Sequence, residues 1–402
     1  MNKIEIITPV HIGTGEKIEA PCFHKENDFI SNRYLFTDIL SQMPASVLTD
    51  SNFLNNLASK QSNKYELYKN INRYVNYDKL KKLYSVKNNN EISESGYDVY
   101  EQVKDLDKPY IPGSSLKGAL LNAWFYYILK ANFDKLNIEA NIKRIFSSNK
   151  SDKFTIVDYL YNSKSNHADF ITSLQSCLVC RDVYFDKMEI LWAERLGSGK
   201  DMNGLAIPIS YRECIQPGQF VSSEFMYIDE YKKSLISKRI DSYISNGLSS
   251  QEKNNIKNIY ENILSVFKQT TFYKACRVFT RDVLEEDCTS KYNDMYRYYN
   301  CLDACSQAKK LLGEINTTIQ NKENVTYLRI GNSTNYFSKT ITLLIRNKAR
   351  YLYDDYFDMV LSPNSSPKSK TRANKNSNPK TRTVYSSLDK NYLPGFIKIY
   401  YD

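Results

Sequence analysis

A chain containing Pro109-Tyr110-Ile111-Pro112-Gly113-Ser114-Ser115-Leu116-Lys117-Gly118-Ala119-Leu120 has little conformational choice over that stretch. Pro112-Gly113 turns the backbone, Ser114 is a good N-cap, and Leu116, Ala119, Leu120, Ala123 and Trp124 recur at helical spacing. The pattern predicts a helix from about Ser115 to about Asn132. Its first turns offer unpaired backbone N–H groups, two hydroxyls and Lys117, but no Asp or Glu. A helix start favours negative charge and disfavours a lysine, and an external anion such as a phosphate resolves that mismatch. A capped core helix with an ordinary surface lysine is the competing reading. A second loop of this kind, Gly331-Asn332-Ser333-Thr334-Asn335, follows strand-like residues 325–330 and enters an apolar helix at 336–345.

Elsewhere, residues 3–7 read as a strand, with Pro9-Val10-His11-Ile12-Gly13-Thr14-Gly15-Glu16 as its glycine-rich exit. A short strand or hairpin is expected within 29–36, helix over 51–87, loop over 88–96 and an irregular connection over 147–165. Strands are expected at 177–185, 188–193, 205–214, 219–229 and 395–400, and helix over most of 250–312. Strands and helices do not alternate as parallel-sheet units do, which favours α+β over a doubly wound sheet. A glycine-rich break at 196–204 divides the chain into expected domains 1–195 and 205–402, the second with a helical insertion and a basic loop at 362–383.

The net charge is +10, and the excess is clustered as a nucleic-acid footprint would be. Residues 362–383 carry Lys368, Lys370, Arg372, Lys375, Lys380 and Arg382 with no acid, and 59–87 carry eight cations against Glu66 and Asp78. A merely solvated face is the alternative for both. The 33 tyrosines offer stacking surface, but a chain so rich in Lys, Asn, Tyr and Ile reflects compositional bias as well. No apolar run approaches a membrane span and no signal peptide is evident, so a soluble, cytoplasmic protein is expected, its eight cysteines reduced.

Most candidate chemistry fails on spacing. Gly13-Thr14-Gly15 lacks the third glycine of a dinucleotide fingerprint, since Ile18 stands there. A Walker A loop at Gly199-Lys200 needs glycine at 194 and Ser or Thr at 201, where Glu194 and Asp201 stand, and in the first motif Lys117 precedes Gly118. Cys177 and Cys180 have no second pair at zinc-knuckle spacing, Cys301 and Cys305 share a helix face, and no metal is expected. The acids 285–287 and 354–355 read as solvated helix surface. Of three histidines, His11 beside the glycine turn is the one placed to act as acid or base on a ribose hydroxyl in a metal-independent endoribonuclease, though a histidine that only hydrogen-bonds RNA or loop backbone has the same signature.

The blocks 9–15 and 110–120, Tyr211-Arg212-Glu213-Cys214-Ile215 with Pro217-Gly218, Leu328-Arg329-Ile330-Gly331 with Ser338-Lys339-Thr340, and Pro379-Lys380-Thr381-Arg382 before Pro394-Gly395-Phe396 span nearly the whole chain. In that order they resemble the RAMP superfamily of CRISPR effector proteins, specifically the Csm subunit that caps one end of the type III-A interference complex. The resemblance implies tandem ferredoxin-like, RRM-related domains with helical insertions that bind crRNA near its 3′ end and abut repeating Csm backbone subunits. It implies a part in crRNA maturation and antiviral defence, no cofactor and no nuclease site of its own. The RNA-contact candidates in the matching blocks are His11, Gly13, Gly15, Gly113, Ser114, Ser115, Lys117, Arg329, Gly331, Asn332, Lys339, Lys380 and Arg382. The second loop holds less glycine than its counterparts in the resemblance, although asparagine tolerates left-handed conformations better than most residues, so a less close approach to RNA is expected there. Loop N–H groups, hydroxyls and lysines would then hold phosphates without reading sequence. Target RNA and a host nuclease docking on the basic face are further expected partners; a membrane is not.

Overall fold

The computed structural model describes residues 2–59, 64–88, 92, 96–147, 155–161, 167–197, 207–334, 342–353 and 381–402. In Lys3-Ile4-Glu5-Ile6 the isoleucines are buried and their neighbours half-exposed, the period of a strand with one face on a core. Lys3–Ile6 pairs antiparallel with Phe220–Ser222 on one side and Phe396–Tyr400 on the other, and Val325–Arg329 completes a four-stranded sheet. One face puts Ile4, Ile6, Leu328, Ile397 and Ile399 into a core shared with the helices Gly113–Asn132 and Gln269–Asp287. On the other face Val325, Tyr327 and Phe396 pack with Ser290–Tyr298 and Leu302–Gln320.

A second, nine-stranded sheet runs in hydrogen-bonded order Gly13–Ile18, Val99–Gln102, Ile207–Ile215, Met188–Gly197, Tyr84–Asn88, Ile30–Arg33 and Phe23–Asn27, with Thr381–Ser386 also on Met188–Gly197 and pairing Asn391–Tyr392. The chain is α+β, as its sequence pattern indicates. Its strand pairing, however, crosses the 195/205 line expected between domains. Lys3–Ile6 lies between two strands from beyond residue 205, and Met188–Gly197 pairs antiparallel with Ile207–Ile215 from Met188↔Ile215 to Arg195↔Ile207. A division at the glycine-rich break would therefore cut between neighbours in one sheet.

Local readings shift for identifiable reasons. The helix expected over 51–87 is Ser51–Ala58 and Tyr65–Asn72, after which Tyr84–Asn88 is a strand whose Val86 enters a core with Tyr68 and Ile71. Within 147–165, expected to be irregular, Ile156–Leu160 is a helix closed by a capping box between Thr155 and Asp158. Cys177 lies at a helix end, and the strand-like run after it splits between two sheets as Leu178–Cys180 and Val183–Tyr184. Among the described residues no helix is long and apolar enough to cross a membrane, and no group of three or more His, Cys, Asp or Glu side chains is placed to hold a metal.

Candidate nucleic-acid interface

Three backbone segments meet at Gly395, and the absence of a side chain there is what lets them meet. Gly395 has φ +84°. Its N–H donates to Pro9 O at 2.9 Å, and its carbonyl accepts from Ile330 N at 2.7 Å. Gly331, at φ +95°, then allows Asn332 N–H to reach His11 O at 2.8 Å, and a Cβ on Gly331 would stand 2.6 Å from that oxygen. The loops around His11 and Gly331 are thus fixed side by side. Left-handed conformations fall on Gly331 and Ser333 (φ +62°), and Asn332 Oδ1 accepts from Ser333 N–H at 2.8 Å.

The third wall is the Gly113–Asn132 helix. It starts at Gly113, earlier than the sequence suggests, with Pro112 in the cap position and no side-chain cap. Gly113 N–H donates to Asp182 Oδ1 at 2.7 Å. The acid missing from the local sequence is therefore supplied across 69 residues, and it answers the charge mismatch that pointed to an external anion at the helix start. Gly113 itself is buried against backbone, where a Cβ would lie 2.3 Å from Cys180 O. Ser114 is exposed and Lys117 half-buried, and neither lines the groove described next; Lys117 acts electrostatically on Cys180 instead.

Ser115, Gly118, Ala119 and Asn122, at i, i+3, i+4 and i+7, form the helix face turned towards the two loops. Between that face, Ile12–Gly13 and 329–334 lies a groove of about 530 Å³. No aromatic ring and no lysine line it; its polar groups are hydroxyls, amides, backbone and the nearly buried Arg329. A Cβ on Gly118 would meet nothing within 4 Å, so this glycine leaves open space in the groove rather than room for the fold. Gly15 (φ +98°) is exposed at the irregular start of the strand Gly13–Ile18, outside the groove lining.

His11, by contrast, is a buried strut. Its ring is 1% exposed and Nδ1–H donates to Glu213 O at 2.7 Å, which leaves Nε2 as a bare, buried acceptor. Burial, reinforced by the charge of Arg212, holds its pKa down to about 4. The imidazole is therefore neutral near pH 7 and covered, which disfavours it as an acid. Glu213 is fully buried beneath it, accepting from Tyr84 Oη at 2.5 Å, Lys104 Nζ at 2.7 Å and Gln102 N at 3.1 Å. Because His11 has a lower pKa folded than unfolded, the unfolded chain takes up its proton first, and stability falls as pH drops from about 6.5 towards 4. Between pH 7 and pH 5 this amounts to about 2 kcal/mol, and urea titrations at the two pH values should show that increment in the wild type and not in His11→Asn.

Arg329 and Arg382 are placed inside the fold as an ion cluster, with Arg329 also bordering the groove. Both are buried on one carboxylate, Arg329 Nη1 at 3.0 Å from Asp287 Oδ2 and Arg382 Nε at 2.9 Å from Asp287 Oδ1. Arg329 Nε also donates to Pro394 O at 2.9 Å, and Arg382 stacks 3.6 Å above the Tyr292 ring. Arg346 holds the neighbouring Glu286 through both nitrogens. Glu286 and Asp287 are thus buried anchors rather than solvated surface; 354–355, Lys339, Lys380 and most of 362–383 lie outside the described residues. Of the expected contacts, the structure brings Gly13, Ser115, Arg329, Gly331 and Asn332 together around the groove. It adds Gly118, Asn122 and Thr334 to the lining, and Gly395 behind it, none of which the sequence reading assigned.

The model of the RAMP superfamily matches residues 3–386. No curated protein is matched by the sequence. Among solved structures, the fold resembles a chain of a cryo-EM structure of a Csm-crRNA-target RNA ternary complex in a type III-A CRISPR-Cas system, with TM-score 0.58 and 18% identity over 99% of this chain and 100% of that one. It also resembles the crystal structure of T. onnurineus Csm5, with TM-score 0.50 and 18% identity over 86% of this chain and 94% of that one.

Proposed function

The chain belongs to the RAMP superfamily, and from that membership we propose that it is a crRNA-binding subunit of a type III-A Csm complex that caps the 3′ end of the guide and assists its maturation. The observation that carries this reading is the groove. Backbone, hydroxyl and amide groups from three segments converge on a space without aromatic rings, and Arg329, which borders it, is tied to Asp287 and Pro394 O. Such a lining suits a sugar–phosphate backbone of any sequence, as a variable guide requires. Gly118 fits the same purpose: glycine inside a helix costs about 1 kcal/mol relative to alanine, and here it keeps the helix surface low where a strand would pass. Neighbouring Csm subunits and target RNA are the partners this reading implies, and a host nuclease is a further one. The covered, neutral His11 supports a subunit without a nuclease site of its own.

Fluorescence anisotropy with crRNAs of unrelated guide sequence tests the reading. The wild type should bind them within about threefold of one another, and Gly118→Gln should bind about tenfold more weakly while Gly118→Ala melts no lower than the wild type. Guide-dependent affinity, or full affinity in Gly118→Gln, counts against it. Cleavage of labelled crRNA precursor in EDTA that disappears in His11→Ala would replace it with the endoribonuclease reading.

A further inference from the structure

Arg212 is a buried cation with no carboxylate beside it among the described residues. The residue is 7% exposed, its Nε and Nη1 are buried without a hydrogen-bond partner, and no carboxylate pairs with it among the described residues. The carboxylate of the next residue, Glu213, is engaged by Tyr84, Lys104 and Gln102. Burying a guanidinium with no counter-charge is strongly unfavourable, and the usual resolutions are an acid or a bound anion. The described residues supply no acid. Arg212 pairs in register with Tyr100, and Tyr100 pairs in turn with Lys17. The Tyr100 ring centroid lies 5.1 Å from the Arg212 guanidinium and 5.0 Å from Lys17 Nζ, and Lys17 likewise has no ion-pair partner among the described residues. The strand that carries Lys17 begins at Gly13, on the groove wall.

We propose that Arg212, with Lys17 and Tyr100 beside it, is a phosphate-binding site for the RNA strand where it leaves the groove across Gly13. This rests on the RNA-binding reading above. The strand of Lys17 starts on the groove wall at Gly13, and that continuity favours a phosphodiester over a partner's carboxylate. The site extends the bound strand from the helix face over three adjacent strands of the nine-stranded sheet, Gly13–Ile18, Val99–Gln102 and Ile207–Ile215.

The test compares single-stranded RNA affinity across a salt series for the full-length wild type, Arg212→Met and Lys17→Gln, with a melting temperature for each. Arg212→Met should weaken binding about tenfold and reduce the slope of log K against log salt by about 0.7, the value of one lost phosphate contact on a single strand. It should melt at or above the wild-type temperature, because no native ion pair is lost. Lys17→Gln, exposed and thus safe for folding, should reduce the slope similarly. Unchanged slopes in both variants while the wild type binds would overturn the Arg212 assignment alone, as would a lower melting temperature in Arg212→Met with RNA affinity intact. Failure of the wild type to bind any RNA removes the broader reading and this site with it. Retained RNA affinity with lost association to a neighbouring subunit would reassign the arginine to a protein carboxylate and overturn the phosphate.

Discussion

Asp287→Asn is expected to lower stability by about 3–5 kcal/mol, because it leaves two buried arginines facing an amide that carries no charge. The architecture makes the loss large. Arg329 ends Val325–Arg329 in the four-stranded sheet, Arg382 lies in Thr381–Ser386 of the nine-stranded sheet, and Asp287 closes the helix packed on the first. One carboxylate therefore ties both sheets to one helix, and the guanidiniums are covered by Phe396 at 4.7 Å and Tyr292 at 3.6 Å, with little solvent to take its place. Removing the charges together should behave differently, since a buried ion cluster replaced by apolar groups of similar volume is often neutral. Urea midpoints of Asp287→Asn, and of a variant combining Asp287→Leu with Arg329→Met and Arg382→Met, check this. The triple variant should recover at least half of the single variant's loss. A loss below 1 kcal/mol in Asp287→Asn would mean that the arginines find other counter-charges and that the clamp is not what holds the sheets.

How much of this was legible depends on how far apart the partners lie in sequence. Asp287 reads from its acidic neighbours as solvated surface, yet Cys276, Thr280, Val283 and Asp287 recur at helical spacing, a signal that puts this acid on the apolar stripe of its helix. The identity of the arginines, 42 and 95 residues away, was not legible. The helix at Gly113 was legible from its turn and its apolar spacing, whereas Asp182 was not, because no local pattern reports a carboxylate arriving from another strand. That one contact alters the argument for an anion at the helix start and moves the groove to the Ser115–Asn122 face. The strand Tyr84–Asn88 was hidden within a lysine-rich run read as helix, and tertiary burial of Val86 decides it. The glycine loops at 13 and 331 were recognisable singly, but that both close on one groove follows from backbone hydrogen bonds through Gly395, which sequence spacing does not encode.

Gly395→Ala carries the second large expected effect, and Gly15 is its built-in control. Both glycines have positive φ, +84° and +98°, so an alanine at either bears left-handed strain of about 1–2 kcal/mol. At Gly15 that is all, since a Cβ there meets nothing within 4 Å. At Gly395 the added carbon would stand 2.1 Å from Ile330 O and 2.7 Å from Thr334 Cγ2. Thr334 is buried with its hydroxyl on Gly331 O at 3.2 Å, and Ile330 O is backbone one residue before Gly331, so neither neighbour is a flexible side-chain end. Relief requires the 330–334 loop to move away from Pro9 and His11, breaking Ile330 N–H to Gly395 O and Asn332 N–H to His11 O together. Overpacking of this kind adds about 1–3 kcal/mol to the strain, for a total of about 2–5 kcal/mol, against about 1–2 for Gly15→Ala. The functional consequence differs in the same sense. Gly395→Ala should weaken crRNA binding even at temperatures where the chain remains folded, because the loop it displaces forms one wall of the groove. Paired measurements of urea midpoint and crRNA affinity on the two variants separate strain from clash. Equal losses in both would show that the 330–334 loop yields easily and that the groove's shape does not depend on this contact.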